Sequence, residues 1–308
     1  MRKGLLSKIK SSLMTNEIFR SVFLNRSDIF FLSEDEIKKL QSRLLEIIED
    51  VDRVCEKNGL TYVLAGGSAL GAVRNGGFIP WDDDIDIIMP RADYDRIGEI
   101  IRREYPGKYY IQDSRYGKYD IHSIKIRMID SVFEELFESE PEHTGIFIDI
   151  YSAEDTYDGR VREKLHGCRV EALMFICSCI KMRKNKKIIL PYLTKKEHIR
   201  SVKIKAAIGA VFGVIPLKKW LIHTDRVMSC VHNPDSRFIT VPAGRRHYFG
   251  ETYTRSFFFP PDRTVFEELS LCIMNETDEY LTRMYGADYM VPPKKDQREK
   301  HAVMRCEL

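Results

Sequence analysis

No stretch of this sequence is apolar for long enough to cross a bilayer. The longest, residues 206–217, has 12 residues with glycines inside and Pro216 near its end, against the roughly 20 a span needs. It reads as a buried helix, and its flanking Lys203, Lys205, Lys218 and Lys219 leave room for a peripheral membrane contact beside that reading. The first residues, MRKGLLSKIKSSLM, are basic but lack the apolar core of a signal peptide, so export is not expected. A disulfide framework is missing too. Seven cysteines, an odd number scattered from Cys55 to Cys306, do not suit a small secreted scaffold and point to a reducing, cytoplasmic setting. Net charge is nearly absent, 49 Lys and Arg against 46 Asp and Glu. No global field therefore argues for nucleic acid as a partner. Internal repeats and low-complexity segments are also wanting.

What is present suits a folded enzyme-sized chain of 308 residues, 44% of them hydrophobic, enough for a sizeable core. Ser33 with Glu36 forms a capping-box pattern opening a helix to about Lys57, with Leu40, Leu44, Ile47, Ile48, Val51 and Cys55 as its apolar stripe. Asn58-Gly59 ends it, and a strand follows over residues 60–64. A second helix is expected over 93–104, and strands over 109–111, 122–128 and 145–151. From Asp158 the pattern turns helical and basic through about Val231, interrupted at Pro191 and Pro216. The tail mixes a strand over 238–241, an aromatic run over 257–259 and a helix over 277–285. The fold class is therefore α/β or α+β. A basic segment at 1–32, an α/β core at 33–155, and a helical region with a tail packed on the core at 156–308 give the expected organisation.

The chemistry concentrates in residues 64–90, LAGGSALGAVRNGGFIPWDDDIDIIMP. Gly66-Gly67-Ser68, after a strand and before a short helix, can present N–H groups and a hydroxyl to phosphate oxygens, although a plain turn also takes two glycines. Four aspartates in five residues then follow. In a strand Asp82, Asp84 and Asp86 would share one face while Asp83 points away. Like carboxylates crowded together repel unless they protonate or hold a cation, and oxygen-only ligands favour Mg²⁺ or Mn²⁺. Asp149, in GIFIDIY, interrupts an apolar alternation, either as a third carboxylate from a neighbouring strand or as a turn cap.

The Gly-Gly-Ser turn followed by Asp84-Ile85-Asp86-Ile87 resembles the nucleotidyltransferase superfamily typified by polymerase-β-like enzymes. More specifically, GGSALGAVRNGGFIPWDDDID is similar to the signature of the LicD family, which includes bacterial phosphorylcholine transferases and is related to fukutin-type ribitol-phosphate transferases. The likeness runs from the Ser33 helix to Tyr151 and again over 280–301. It implies a nucleotidyltransferase-like mixed sheet with flanking helices and a largely helical second region. It also implies transfer of a substituted phosphate from a CDP-linked donor, such as CDP-choline, to a hydroxyl of a cell-surface glycan or its lipid-linked precursor, with release of CMP. The expected metal ligands are Asp84 and Asp86, with Asp149 as third ligand and general base, and Asp82 as a ligand, an outer-sphere group or a cap.

Arg74, Lys125 and Arg127 are candidates to hold the donor's phosphates; a solvated sheet face is the other reading of Lys125 and Arg127. Trp81, with Tyr116 or Tyr119, is a candidate to stack on a base or enclose a quaternary ammonium, and core packing is the common alternative. The basic run 181–187 reads as a solvated helix end or a dock for an anionic membrane or glycan. Arg298 and His301 are candidates from the tail. Two rival functions stay open, a nucleotidyltransferase acting from an NTP on a small acceptor and a catalytically silent scaffold at a membrane.

Overall fold

The computed structural model describes residues 30–117, 120–135, 144–294, 298 and 303–308. The basic N-terminal segment, apart from its last three residues, lies outside them, as do Tyr119 and His301. Helix α1 (Glu34–Asn58) begins at the capping box: Glu36 N–H donates to Ser33 Oγ and Ser33 N–H to Glu36 Oε2, and Gly59 closes the helix at φ 62°. Leu40, Leu44, Ile47, Ile48 and Val51, at helical spacing, are fully buried, so this stripe anchors α1 to the core. Strand β1 (Val63–Leu64) is shorter than its apolar run. Then come α2 (Gly66–Asn75), β2 (Asp86–Pro90) and α3 (Arg91–Glu104), followed by β3 (Tyr109–Asp113), β4 (Ile124–Met128), β5 (Val132–Glu135) and β6 (Phe147–Asp155).

The helical stretch is α4 (Arg160–Ile189), α5 (Lys196–Phe212) and α6 (Leu217–Met228). After it come β7 (Phe238–Thr240), the one-turn α7 (His247–Gly250), β8 (Thr252–Thr254), the hairpin β9 (Asp262–Phe266) and β10 (Leu269–Ile273), α8 (Thr277–Tyr285), and β11 (Val303–Glu307). The main sheet runs β1-β2-β6-β4-β3, with β7 on β6 and β8 on β7. Strands β2 and β6 are parallel and the other pairs antiparallel, which makes the mixed α/β sheet expected of the sequence. Because β7 joins the C-terminal end of β6, the sheet crosses the boundary placed at residue 155. One core takes in Leu32, the sheet, the β9–β10 hairpin, α8 and Val303, while the helical stretch carries smaller apolar clusters of its own.

Residues 206–217 do not form the single buried helix expected of them. Helix α5 stops at Phe212 and α6 starts after Pro216, with the two axes 89° apart. Gly213 weakens the helix, and Ile215 precedes a proline, which disfavours helical backbone there. Val211, Val214 and Ile215 consequently stand 68%, 82% and 42% exposed.

Candidate active site

Register brings three charged side chains into one row. Asp86 on β2 is the Cα partner of Asp149 on β6, and Asp149 is in turn the partner of Lys125 on β4. Side chains directly opposite across a ladder share a face, so Asp86, Asp149 and Lys125 stand side by side. Ser123 Oγ donates to Asp149 Oδ1 at 2.8 Å, and Lys125 Nζ lies 3.6 Å from Asp149 Oδ2. Lys125 also donates to Glu135 at 2.7 Å and sits 3.4 Å from the centre of the Phe147 ring. Burial works against its charge, but Asp149 and Glu135 outweigh that and raise its pKa. It is a retained cation beside Asp149.

Asp82, Asp83 and Asp84 precede β2 rather than belonging to it. The alternation that would turn Asp83 away therefore does not operate, and one carboxylate oxygen from each of the three lies within 4.8 Å of the others. Oxygens on opposite sides of an octahedral Mg²⁺ are about 4.2 Å apart, so a small contraction would let them share one ion. The turn that presents them is pinned by Gln41, whose side-chain amide donates to Ile79 O and Asp82 O at 3.1 and 2.9 Å. The close-set oxygens are those of Asp82, Asp83 and Asp84, and Asp86 and Asp149 act beside them on two tyrosines. Burial raises the pKa of Tyr151 well above the phenolic range, with Asp86, Asp149 and Asp84 adding to it. Burial also raises that of Tyr285 on α8, with Asp82, Asp86 and Asp84 adding and Arg245 opposing. Asp84 and Asp86 thus act on both rings, Asp82 on one and Asp149 on the other.

Gly66, Gly67 and Ser68 form the first turn of α2 instead of a separate loop, and that helix start has no side-chain cap. Gly66 has φ 50°, and its N–H donates to Tyr280 Oη at 2.9 Å. A Cβ at Gly66 would meet Asp86 Oδ2 at 3.0 Å, and one at Gly67 would meet Asp82 Oδ2 at 2.6 Å. The carboxylates thus come close to the bare glycine backbone, and at Gly66 the positive φ also favours glycine. Ser68 is 3% exposed and its Oγ accepts the Asp86 N–H at 3.0 Å, so the hydroxyl ties α2 to β2. The positive end of α2 consequently lies over the acids.

The remaining candidates divide. Arg74 donates to Tyr289 O at 3.1 Å, and its guanidinium is 5.9 Å from the Trp81 ring centre. Burial lowers its pKa while Asp82 opposes, which places this cation in reach of the acidic cluster. Arg298 stacks on Trp81 at 3.8 Å, and its buried Nε has no hydrogen-bond partner among the described residues. Tyr116 is 72% exposed. Arg127 does not fit a phosphate-binding role. It is fully buried, with Nε donating to Gln112 Oε1 at 2.5 Å and Nη1 to Gly145 O at 2.8 Å. Every residue of β4 is buried, so a cation there has to be satisfied internally.

Sequence reasoning did not single out Ser123, Gln41 or Tyr285, and it named Tyr151 and Tyr280 only as edges of the resemblance. Residues 214 apart in the chain meet at the Gly66–Tyr280 bond, which no local spacing announces.

Residues 59–166, which carry the glycine turn and all five acids, match the model of the LicD/FKTN/FKRP nucleotidyltransferase domain. Over 278 residues the chain is 26% identical to the lipopolysaccharide cholinephosphotransferase LicD of Haemophilus influenzae, covering 86% of this chain and 96% of the relative. An uncharacterized protein of Rickettsia prowazekii is 33% identical over 76 residues, 23% of this chain and 29% of its own. One of Rickettsia typhi is 36% identical over 58 residues, 19% of each chain. The acid-bearing strands β2 and β6 both lie inside the segment that matches this LicD/FKTN/FKRP domain model.

Proposed function

We propose that this chain is a phosphotransferase that moves phosphocholine, or a related phospho-alcohol, from a CDP-linked donor to a hydroxyl of a lipopolysaccharide-type glycan, releasing CMP. The observation that carries the reading is the alignment of Asp86 with Asp149, next to the Asp82–Asp83–Asp84 group and beneath the glycine start of α2. The similarity to an enzyme named as a lipopolysaccharide cholinephosphotransferase supports the choice of group and acceptor.

The donor set is all carboxylate, which fits Mg²⁺ or Mn²⁺. Asp84, Asp86 and Asp149 would hold the ion, with Asp82 as a further ligand and Asp83 near enough to assist. When bound, the ion supplies charge neutralisation for the diphosphate. The chain's own groups do the rest. With the Gly66 N–H already donated to Tyr280, the Gly67 and Ser68 N–H groups at the start of α2 would lie against phosphate oxygens, and Arg74 and Lys125 would balance the charge left on the donor. Asp149, steadied at Oδ1 by Ser123, takes the proton of the attacking hydroxyl. Trp81, covered on one side by Arg298, is the stacking surface for the base or the head group.

The test is to incubate the protein with CDP-choline, CDP-ribitol or CDP-glycerol, Mg²⁺ and a lipopolysaccharide acceptor, and to separate the products. One donor yields CMP, and Asp84→Asn or Asp86→Asn abolishes its release. Intact donors throughout, or pyrophosphate released from an NTP instead, would reject the reading in favour of nucleotidyl transfer or a silent scaffold.

A further inference from the structure

We infer that the solvent face of α5, with its turn into α6, is a docking surface for an anionic lipid bilayer. The near-neutral total conceals a strong segregation of charge. Residues 181–219 contain ten Lys and two Arg against one acid, Glu197, a local +11, which leaves −8 for the rest of a chain whose total is +3.

The structure sets Lys196, Arg200 and Lys203 before an exposed apolar tip and Lys219 after it, while Lys205 is buried and donates to Ser178. Lys196, Arg200, Lys203, Ala207 and Val211 recur at three- and four-residue steps and are all exposed, so they form one face of α5. That face is basic at its start and apolar at its end, where Val211, Val214 and Ile215 stand in solvent. Lys219, exposed one turn beyond, returns to positive charge. The opposite face is committed to the protein. Val202 is fully buried, and α5 crosses α4 so closely that a Cβ on Gly209 would meet Cys179 O at 2.2 Å.

Among the described residues no single helix is long and apolar enough to cross a membrane, and the α5–α6 pair that passes by composition is bent by 89°. An apolar tip flanked by exposed cations on a bent pair suits shallow insertion between anionic headgroups, with lysine stems lying along the boundary. An acidic protein partner would meet the charges but leave the apolar tip unused. Helix α4 connects this face to the acids, since Lys184 pairs with Asp120 at 3.1 Å, close in sequence to Ser123. Docking would therefore hold the site near a membrane-borne acceptor. Only this last point rests on the proposed reaction.

The experiment is co-sedimentation of the full chain with vesicles of phosphatidylcholine alone and with about 30% phosphatidylglycerol. The protein should sediment with the anionic vesicles, not with the neutral ones, and raised salt should release it. Arg200→Glu with Lys203→Glu should weaken binding at least about 25-fold, roughly fivefold per lost charge. Val211→Ser with Val214→Ser and Ile215→Ser should weaken it by about tenfold or more. Asp86→Asn should bind vesicles as the wild type does, so failure of the transfer reading and failure of this one are separable. No sedimentation with anionic vesicles at low salt, or wild-type binding by both surface variants, overturns the inference. So does a dimer that the serine variant converts to monomer in light scattering, which would assign the face to a second copy of the chain.

Discussion

Replacing Gly67 with alanine tests the closeness of α2 to the acids. The added methyl would lie 2.6 Å from Asp82 Oδ2. Ordinary contact begins at 3.4 Å, so the Asp82 carboxylate has to retreat by about 0.8 Å, whereas metal–oxygen distances tolerate only about 0.2 Å. Disturbing a group that places or supplies a metal ligand typically costs about 10–100-fold in metal affinity or activity. Stability should move the other way or not at all. Alanine is favoured over glycine in a helix by up to about 1 kcal/mol, and the backbone of Gly67, unlike that of Gly66, lies outside the left-handed region. The assay is CMP release as a function of Mn²⁺ concentration, beside a thermal melt. A tenfold or larger rise in the Mn²⁺ requirement with an unchanged or raised melting temperature is expected. Unaltered turnover and unaltered Mn²⁺ dependence would refute the reasoning.

Asp86→Asn and Asp149→Asn should each lower turnover by about 10²–10³-fold or more while circular dichroism stays that of the wild type; activity within a few-fold of wild type would remove the residue from the site. Lys125→Met leaves Asp149 and Glu135 without their shared cation and should cost about 3 kcal/mol in urea unfolding, a loss that Lys125→Arg should partly restore. Burial pushes the Glu251 carboxyl up to about 7, against the opposing pull of the Arg246 N–H and of Arg246, Arg283 and Arg245. The folded protein therefore keeps a proton that the unfolded chain releases between the ordinary glutamate value and about pH 7, so stability falls as pH rises through that window. The loss approaches about 3 kcal/mol above it. Urea midpoints at about pH 5 and about pH 8 should differ in this sense for the wild type and converge in Glu251→Gln; equal slopes in both would contradict the assignment.

The legible parts of the fold are those where local chemistry and packing agree. The capping box at Ser33 and the stripe from Leu40 to Val51 define α1, and α8 has the bounds its pattern suggests, Thr277–Tyr285. The strands at β3, β4 and β6 fall on their apolar alternations. Alternation places Asp86 and Asp149 each on a strand face, but their pairing comes from the register of β2 against β6, which neither strand's own pattern gives. Asp83 was misread because strand alternation was extended into a segment with no ladder to enforce it. Arg127 was misread because one strand's pattern does not reveal that both faces of its sheet are covered. The β9–β10 hairpin begins Asp262-Arg263-Thr264, too polar to announce itself, and only folding brings Tyr280 to Gly66. The 206–217 run shows the limit of composition. Twelve apolar residues look like core, but the bend at Gly213 and Pro216 leaves Val214 and Ile215 in solvent while Ala206 and Leu217 stay buried.

These carboxylates, with a divalent cation, are proposed to move a phospho-alcohol and not a nucleotide. The most direct measurement uses CDP-choline labelled separately in its choline and cytidine portions, with a lipopolysaccharide acceptor, and follows each label. Choline label in the glycan and cytidine label in free CMP, dependent on Mg²⁺ or Mn²⁺ and lost in Asp86→Asn, is the predicted result. Cytidine label in the glycan, or choline transfer that survives removal of all divalent cations, would contradict it.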